Sequence, residues 1–454
     1  MFAGSGWRIY REKKESKRMR TVRACVFAVC GLMGAARTCA GYSVQTHEQM
    51  IDLTWKASIA PFLRARFPAI TPGELREAHA YAYGGAAIQD LGYYPFGNKY
   101  FSNLAHYVRS GDFVRAMLED ARTPEELAFA VGALSHYVGD SIGHSMAVNP
   151  SVAIEFPKLG KKYGPKVTYE EGEHQHVRTE FAFDVNEISK GRFAPSAYLK
   201  SVGLSISEDL MARAFYDTYG LNLYGVLGKR GRAMVDGYRF SVRRFLPRIA
   251  YAEAVLHRSR FPEDEPGPAI QELTAELKQA DFENGWDKFR KHAGVGTYTL
   301  AGVIVILPKV GVLSDLAIRG PAVDTEEKYV ESVLAATQRL RDDLRKLGTV
   351  EDVRGTEAEE LLPNRDLDTG AKVRPGGYRL TDETYARLLG EVVKEKAVPA
   401  GLKVDILEYY ADPNAPIATK KNPKAWAKVQ AELRTLQGMP MVDGARAAAV
   451  AGSE

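Results

Sequence analysis

The sequence predicts an all-α protein. Three observations carry this: apolar residues recur at helical spacing through most of the chain, strand-type alternation is scarce, and one stretch carries both a helix start and a helix stop signal. That stretch runs from Thr123 to Pro150 (TPEELAFAVGALSHYVGDSIGHSMAVNP). Thr123 suits the N-cap with Glu126 three residues on, Pro124 suits the first helical position, and Asn149-Pro150 is expected to end the helix. Leu127, Val131, Leu134, Val138 and Ile142 share one face, while His136, Asp140 and His144, at i, i+4 and i+8, share the opposite one. Small residues (Gly132, Ala133, Gly139, Gly143) flank the polar stripe, so the helix reads as buried all round. Buried carboxylates and imidazoles need partners, and a metal is the simplest one. The two histidine Cα atoms stand roughly 12 Å apart at about 1.5 Å per residue, too far for a single ion.

Residues 1–41 read as a leader. Lys17, Arg18, Arg20 and Arg23 precede the apolar run Ala24–Ala36, and the small residues Thr38-Cys39-Ala40-Gly41 follow. This is the pattern of a secretory signal peptide, and the run is shorter than the roughly 20 residues a membrane span needs. Export to the periplasm or the exterior follows as an expectation. The three cysteines, Cys25, Cys30 and Cys39, all lie in the leader, so the mature chain would hold no disulfide and no thiolate metal site. The leader also carries nine Lys/Arg and two Asp/Glu, leaving 52 basic against 55 acidic residues. That near balance removes any compositional argument for a polyanionic partner.

After the leader, helices are expected over about 47–66, 72–88 and 103–110, with the aromatic, Gly-rich loop Asp90–Tyr100 (DLGYYPFGNKY) between the last two. A polar loop at 157–173 leads into HQHVRTEFAFD, where His176 and Glu180 stand again at i, i+4. Helices follow over 197–226 and 233–258. FPEDEPGPA at 261–269 reads as a linker, which divides the chain into a unit at 42–260 and a mostly helical region at 270–454. In the latter an amphipathic helix is expected near 326–347 and a long loop or irregular module at 350–380. The apolar stretch 299–318 reads first as a buried helical hairpin, with a membrane-surface element and then a true span as alternatives.

Seven of the nine histidines precede residue 177. The first half therefore offers His47, Asp90, His106, His136, Asp140, His144, His176 and Glu180 as N/O ligands of the kind zinc takes, too many for one ion and suited to two or three. Asp140, at the middle of the stripe, is placed to bridge two ions. His174 competes with His176, but only His176 is four residues from Glu180. His79 has no partner at helical spacing and reads as structural; His257 and His292 read as surface or core.

The pattern HYVGDSIGHS, set among the other ligands, resembles the zinc-dependent phospholipase C and single-strand nuclease superfamily, and its spacing looks closest to the catalytic domain of glycosylphosphatidylinositol-specific phospholipase D. The resemblance covers about residues 42–190. It implies a multi-helix, zinc phospholipase C-like domain holding three zinc ions: one on Asp90, His106, His136 and Asp140, a second on His144, His176 and Glu180, and a third on Asp140, His47 and the free amine of a mature N-terminus at Tyr42 or Gly41. Gln89 stands where the family commonly has proline, and Tyr42 where it often has tryptophan.

Clustered zinc ions bind the non-bridging oxygens of a phosphodiester, lower the pKa of a bound water toward about 7 and stabilise the leaving alkoxide. The expected activity is phosphodiester hydrolysis by a zinc-bound hydroxide, with Asp140 and Asp90 as the catalytic carboxylates; the resemblance suggests that Asp90 orients or deprotonates the water. Tyr93, Tyr94, Phe96, Tyr100 and Phe101 are candidates for a substrate wall, with aromatic core as the other reading of each. Phospholipid is the first substrate class, with peripheral membrane contact. The alternatives are a single-strand nuclease, whose aromatic wall would stack bases, and a non-catalytic metal-stabilised membrane-binding protein.

Overall fold

The computed structural model describes residues 43–94, 96–257, 267–290, 320–349 and 355–442. The leader, Tyr42, the 299–318 stretch and His292 lie outside these residues. Within them the chain is all-α, as the periodicity predicts; the sheet among the described residues is one parallel pair of two-residue strands, Val398–Pro399 with Met441–Val442. No helix of the described residues is long and apolar enough to cross a membrane.

Six helices build the surroundings of the polar stripe: α1 (Val44–Thr54), α2 (Pro72–Gly85), α3 (Lys99–Tyr107), α4 (Pro124–Gly143), α5 (Glu173–Ser189) and α6 (Val323–Leu347). At the start of α2, Thr71 accepts from the Glu74 amide at 3.2 Å while the Glu74 carboxylate accepts from the Thr71 amide at 2.7 Å, a complete capping box. At α4 the box is half made. Thr123 accepts from the Glu126 amide at 3.2 Å, but the Glu126 carboxylate turns to the Arg122 amide and to Arg213, each at 2.8 Å.

From Leu127 to Asp140 every residue of α4 is buried, so this helix is the axis around which the others pack. Its closest neighbour is α2. A β-carbon on Gly85 would overlap the Phe129 carbonyl oxygen, and one on Gly132 would overlap that of Ala82. The two glycines therefore let the backbones meet directly and fix the end of α2 beside the polar stripe of α4.

The Asn149-Pro150 stop does not end the helix. The chain passes through a π turn at His144–Val148 and continues helically over Asn149–Glu155. The physical reason is visible in the hydrogen bonding: the Asn149 amide bonds five residues back to His144, widening the turn just before the proline, whose missing N–H and bulky ring would break an ordinary α-helix. The same device recurs at Trp55–Ile59 before Pro61 and at Ser241–Phe245 before Pro247. Three internal prolines are thus absorbed by three π turns. Two loop expectations also change, since Pro157–Tyr163 is helical and the Asp90–Tyr100 stretch contains a 3-10 turn, Ile88–Tyr93, and the first residues of α3.

Among the described residues one apolar cluster runs from Val44 to Met439, so the described helices after 270 pack into the same core as the first half. Tyr329 on α6 stacks on Phe183 of α5, centroids 4.7 Å apart, and its hydroxyl lies 3.0 Å from that of Thr46 on α1. In the 350–380 stretch, the short helix Thr356–Leu361 leads into a tight loop closed by an antiparallel bridge between Arg365 and Lys372. That loop is held on the first half of the chain, with Ser110 Oγ donating to the Arg365 carbonyl at 2.6 Å.

Candidate metal centre

The stripe on α4 and the π turn that continues it delivers His136, Asp140 and His144 to one buried side, and four further elements converge on it. His47 comes from α1, Asp90 from the 3-10 turn after α2, His106 from α3, and His176 and Glu180 from α5. All eight side chains are buried. Tyr42 lies outside the described residues.

The donor atoms sort into three sets, His47–His136–Asp140, Asp90–His106–His136 and His144–His176–Glu180. Asp140 joins the first two. Its Oδ1 lies 3.2 Å from His47 Nε2, while its Oδ2 lies 3.0 Å from His136 Nε2 and 3.4 Å from His106 Nε2. His106 Nε2 is also 3.3 Å from Asp90 Oδ1 and 3.4 Å from His136 Nε2. The rings of His47 and His136 stack with centroids 4.3 Å apart. In the third set, Glu180 Oε1 lies 2.8 Å from His176 Nε2 and 3.5 Å from His144 Nε2.

These separations fit zinc. Tetrahedral bonds of about 2.0–2.1 Å place neighbouring ligand atoms about 3.3–3.4 Å apart, close to the spacings around His106. The hydrogen bonding fits as well: both carboxylate oxygens of Asp90 and Nε2 of His144 are buried without a hydrogen bond, the condition that ligation relieves. The far side of three rings is fixed by backbone carbonyls. His106 Nδ1 bonds to Ser102 O at 2.8 Å, His136 Nδ1 to Ala86 O at 3.1 Å and His144 Nδ1 to Leu367 O at 2.9 Å. A carbonyl only accepts, so each Nδ1 carries a proton and each Nε2 is the nitrogen left to ligate a metal or, when protonated, to donate toward the carboxylates.

The electrostatics of these side chains show the same demand for positive charge. Burial lowers the pKa of His106, but the Asp140 and Asp90 carboxylates, 3.4 and 3.3 Å from its Nε2, outweigh it and push the imidazole up to about 10. Burial likewise opposes the charged forms of His136 and His144, yet the Asp140 charge holds both above their ordinary value. Asp140 itself, despite burial, is held well below the carboxylate range by His136 and His144. His176 goes the other way, lowered to about 4 by burial. Protons gathered on imidazoles do here what a divalent cation does when bound.

Residues 46–224 match the family model described as zinc-dependent phospholipase C. That segment belongs to the zinc-dependent phospholipase C superfamily. No curated protein and no solved structure matches the chain. The phospholipase C segment contains all eight buried donors. Gln89, at the position where the family commonly has proline, holds its turn by other means: Nε2 donates to the Ala133 carbonyl of α4 at 2.8 Å, which pins the Asp90 turn to the central helix.

Other sequence candidates separate cleanly. His174 is exposed, whereas His176 is buried in the cluster. His79 stacks on Trp55 with centroids 3.9 Å apart and faces the Asp52 carboxylate at 3.6 Å, away from the donor sets. Of the five loop aromatics, Tyr93 stands beside a donor, 5.8 Å from the His106 ring. Tyr94 packs on Tyr238 and Phe101 on Phe215 in the core, Tyr100 lies under Arg387, and Phe96 is exposed. For Tyr94, Tyr100 and Phe101 the structure therefore shows the core reading of the two that the sequence leaves open.

One residue near the site was not found from the sequence. Asp368 is buried, lies 3.6 Å from His144 Nδ1 and sits 144 residues beyond the end of the matched segment. The signal available was the carboxylate pair in Asn364-Arg-Asp-Leu-Asp-Thr-Gly370, which local spacing alone does not connect to any histidine.

Proposed function

We propose that this chain is a zinc-dependent phosphodiesterase of the phospholipase C/D type, acting on phospholipids after export. The observation that supports the reading most directly is the division of Asp140, one oxygen toward His47 and the other toward His136 and His106, the arrangement expected of a carboxylate that would bridge two ions. Asp90, His106, His136 and Asp140 would hold one zinc; His144, His176 and Glu180 a second; His47, Asp140 and the amine of a mature Tyr42 a third. Zinc bound in these sets supplies Lewis acidity that polarises a phosphodiester and brings the ionisation of water near neutral pH.

The chain's own groups do the rest. Asp90, whose carboxylate oxygens are buried without a hydrogen bond, would orient a water and take its proton. The Nδ1 to carbonyl bonds of His106, His136 and His144 keep the donor set rigid, so little reorganisation is needed when phosphoryl charge develops. Tyr93 and Tyr169, with rings 5.8 Å from His106 and 5.7 Å from His176, close the aromatic side of the site.

Purified protein, incubated separately with phosphatidylcholine vesicles, a glycosylphosphatidylinositol and single-stranded DNA, tests the reading. Phosphate monoester or headgroup release from lipid is expected and should stop on chelation. Nucleotide products with intact lipid would move the protein to the nuclease branch, and zinc content without turnover on any of the three would make the centre structural.

A further inference from the structure

The matched segment ends at residue 224, yet His144 is oriented by a loop far beyond it. His106 and His136 take the carbonyls that fix their rings from Ser102 and Ala86, inside the segment; His144 takes its carbonyl from Leu367. The same loop also reaches a different donor set, because the Leu367 amide donates to the carbonyl of His106 at 3.0 Å. Two zinc sets are thus joined through one backbone residue.

Asp368, the next residue, is fully buried. Its Oδ2 accepts from the hydroxyls of Tyr107, 3.0 Å, and Tyr378, 2.7 Å, and its carbonyl accepts from Asn149 Nδ2 at 2.7 Å. Its Oδ1 is buried with no hydrogen bond and lies 3.6 Å from His144 Nδ1. Two neutral hydroxyls orient a carboxylate but do not compensate its charge, and an uncompensated buried carboxylate is too costly to be kept for packing alone. The loop is also seated closely, since a β-carbon on Gly370 would overlap the Ser141 carbonyl oxygen of α4.

We propose that the 363–373 loop is an integral part of the metal centre, with Asp368 as a positioning residue that, together with the Leu367 carbonyl, orients His144 and raises the donor strength of its Nε2. A carboxylate behind a ligating imidazole has this effect in general: it stabilises the N–H tautomer, fixes the ring plane and makes the opposite nitrogen a stronger ligand. The inference rests on the assignment of zinc to His144, His176 and Glu180. It adds that the set is incomplete without residues from the last quarter of the chain.

Zinc content and chelator-competition affinity of the full chain, together with the visible spectrum of the cobalt-substituted protein, test it in wild type, Asp368→Asn, Tyr378→Phe and His176→Ala. His176→Ala should lose one zinc; if it keeps all of them, the ligand assignment fails and this inference with it. Where His176→Ala does lose one, Asp368→Asn should bind that zinc about 10–100-fold more weakly with a shifted cobalt spectrum. Tyr378→Phe, which removes one donor to Asp368, should move both readouts the same way by a smaller factor. Wild-type affinity and an unshifted spectrum in Asp368→Asn would overturn the positioning role while leaving the ligand assignment standing. If Asp368→Asn fails to fold, wild-type values in Tyr378→Phe would overturn that role equally.

Discussion

His47 and Asp140 meet 3.2 Å apart, Nε2 to Oδ1, although 93 residues separate them and they sit on different helices. The other Asp140 oxygen is occupied by His136 and His106. One carboxylate thus spans two donor sets, and its removal should be felt in both. Asp140→Asn is expected to lower zinc content from about three ions per chain to about one, with the His144–His176–Glu180 set retained. Activity on lipid should fall by more than about 100-fold, since loss of a direct ligand exceeds the effect of losing an outer partner. The zinc-dependent gain in melting temperature should shrink in step, because stabilisation by a ligand follows its affinity. Metal analysis showing an unchanged zinc count would remove Asp140 from its bridging role.

Zinc uptake should release protons. At pH 7 the metal-free chain holds a proton on His106, whose pKa the nearby Asp140 and Asp90 carboxylates push up to about 10 against the opposing effect of burial. Ligation through Nε2 requires that proton to leave. Calorimetric titration in buffers of different ionisation enthalpy should report at least about one proton released per chain, and apparent affinity should rise about tenfold per pH unit below pH 10. The sign for stability follows from the same shifts. The His106 contribution is fully present below about pH 6.5 and is lost as pH rises toward 10; the His176 contribution, with its pKa lowered to about 4 by burial, is lost as pH falls from about 6.5 toward 4. As far as these two groups go, the metal-free chain is most stable near pH 6.5, and a monotonic stability profile would contradict the assignment.

The all-α class and the convergence of the eight donors were legible because both rest on local spacing. His136-Asp140 and His176-Glu180 are i, i+4 pairs, and an α-helix brings such pairs together wherever it is placed. The family that residues 46–224 match was legible for the same reason, as a series of short motifs. The π turns were not, because a proline in a helical run reads as a stop unless the preceding turn is known to widen. Nor was Asp368, whose approach to His144 depends on how the chain returns after more than 200 residues. The aromatic loop stays open in the sequence for a third reason: Tyr94, Tyr100 and Phe101 are apolar enough to serve a wall or a core, and tertiary packing on Tyr238, Arg387 and Phe215 decides between them.

His79 offers a control. Its ring stacks on Trp55 at 3.9 Å and faces Asp52, which also accepts from the Tyr83 hydroxyl at 2.5 Å. His79→Ala leaves a cavity and a buried carboxylate short of one partner, so the protein should be destabilised by about 2–3 kcal/mol. Zinc content and zinc affinity should stay at wild-type values. Loss of an ion in this variant would mean that His79 is a ligand after all.

Gly132→Ala should couple the fold to the metal. The added methyl meets the Ala82 carbonyl, so α2 must move away from α4, at a cost of about 1–3 kcal/mol for overpacking. The displaced end of α2 carries Ala86, whose carbonyl fixes His136 Nδ1, and leads directly into the Asp90 turn. Zinc affinity should therefore fall at the two sets that contain His136, while the His144–His176–Glu180 set, built from the far end of α4 and from α5, keeps its ion. Site-resolved cobalt titration with thermal melting distinguishes this from general loosening, which would weaken all three sets alike. A wild-type melting temperature would show instead that the two helices part without cost at Gly132.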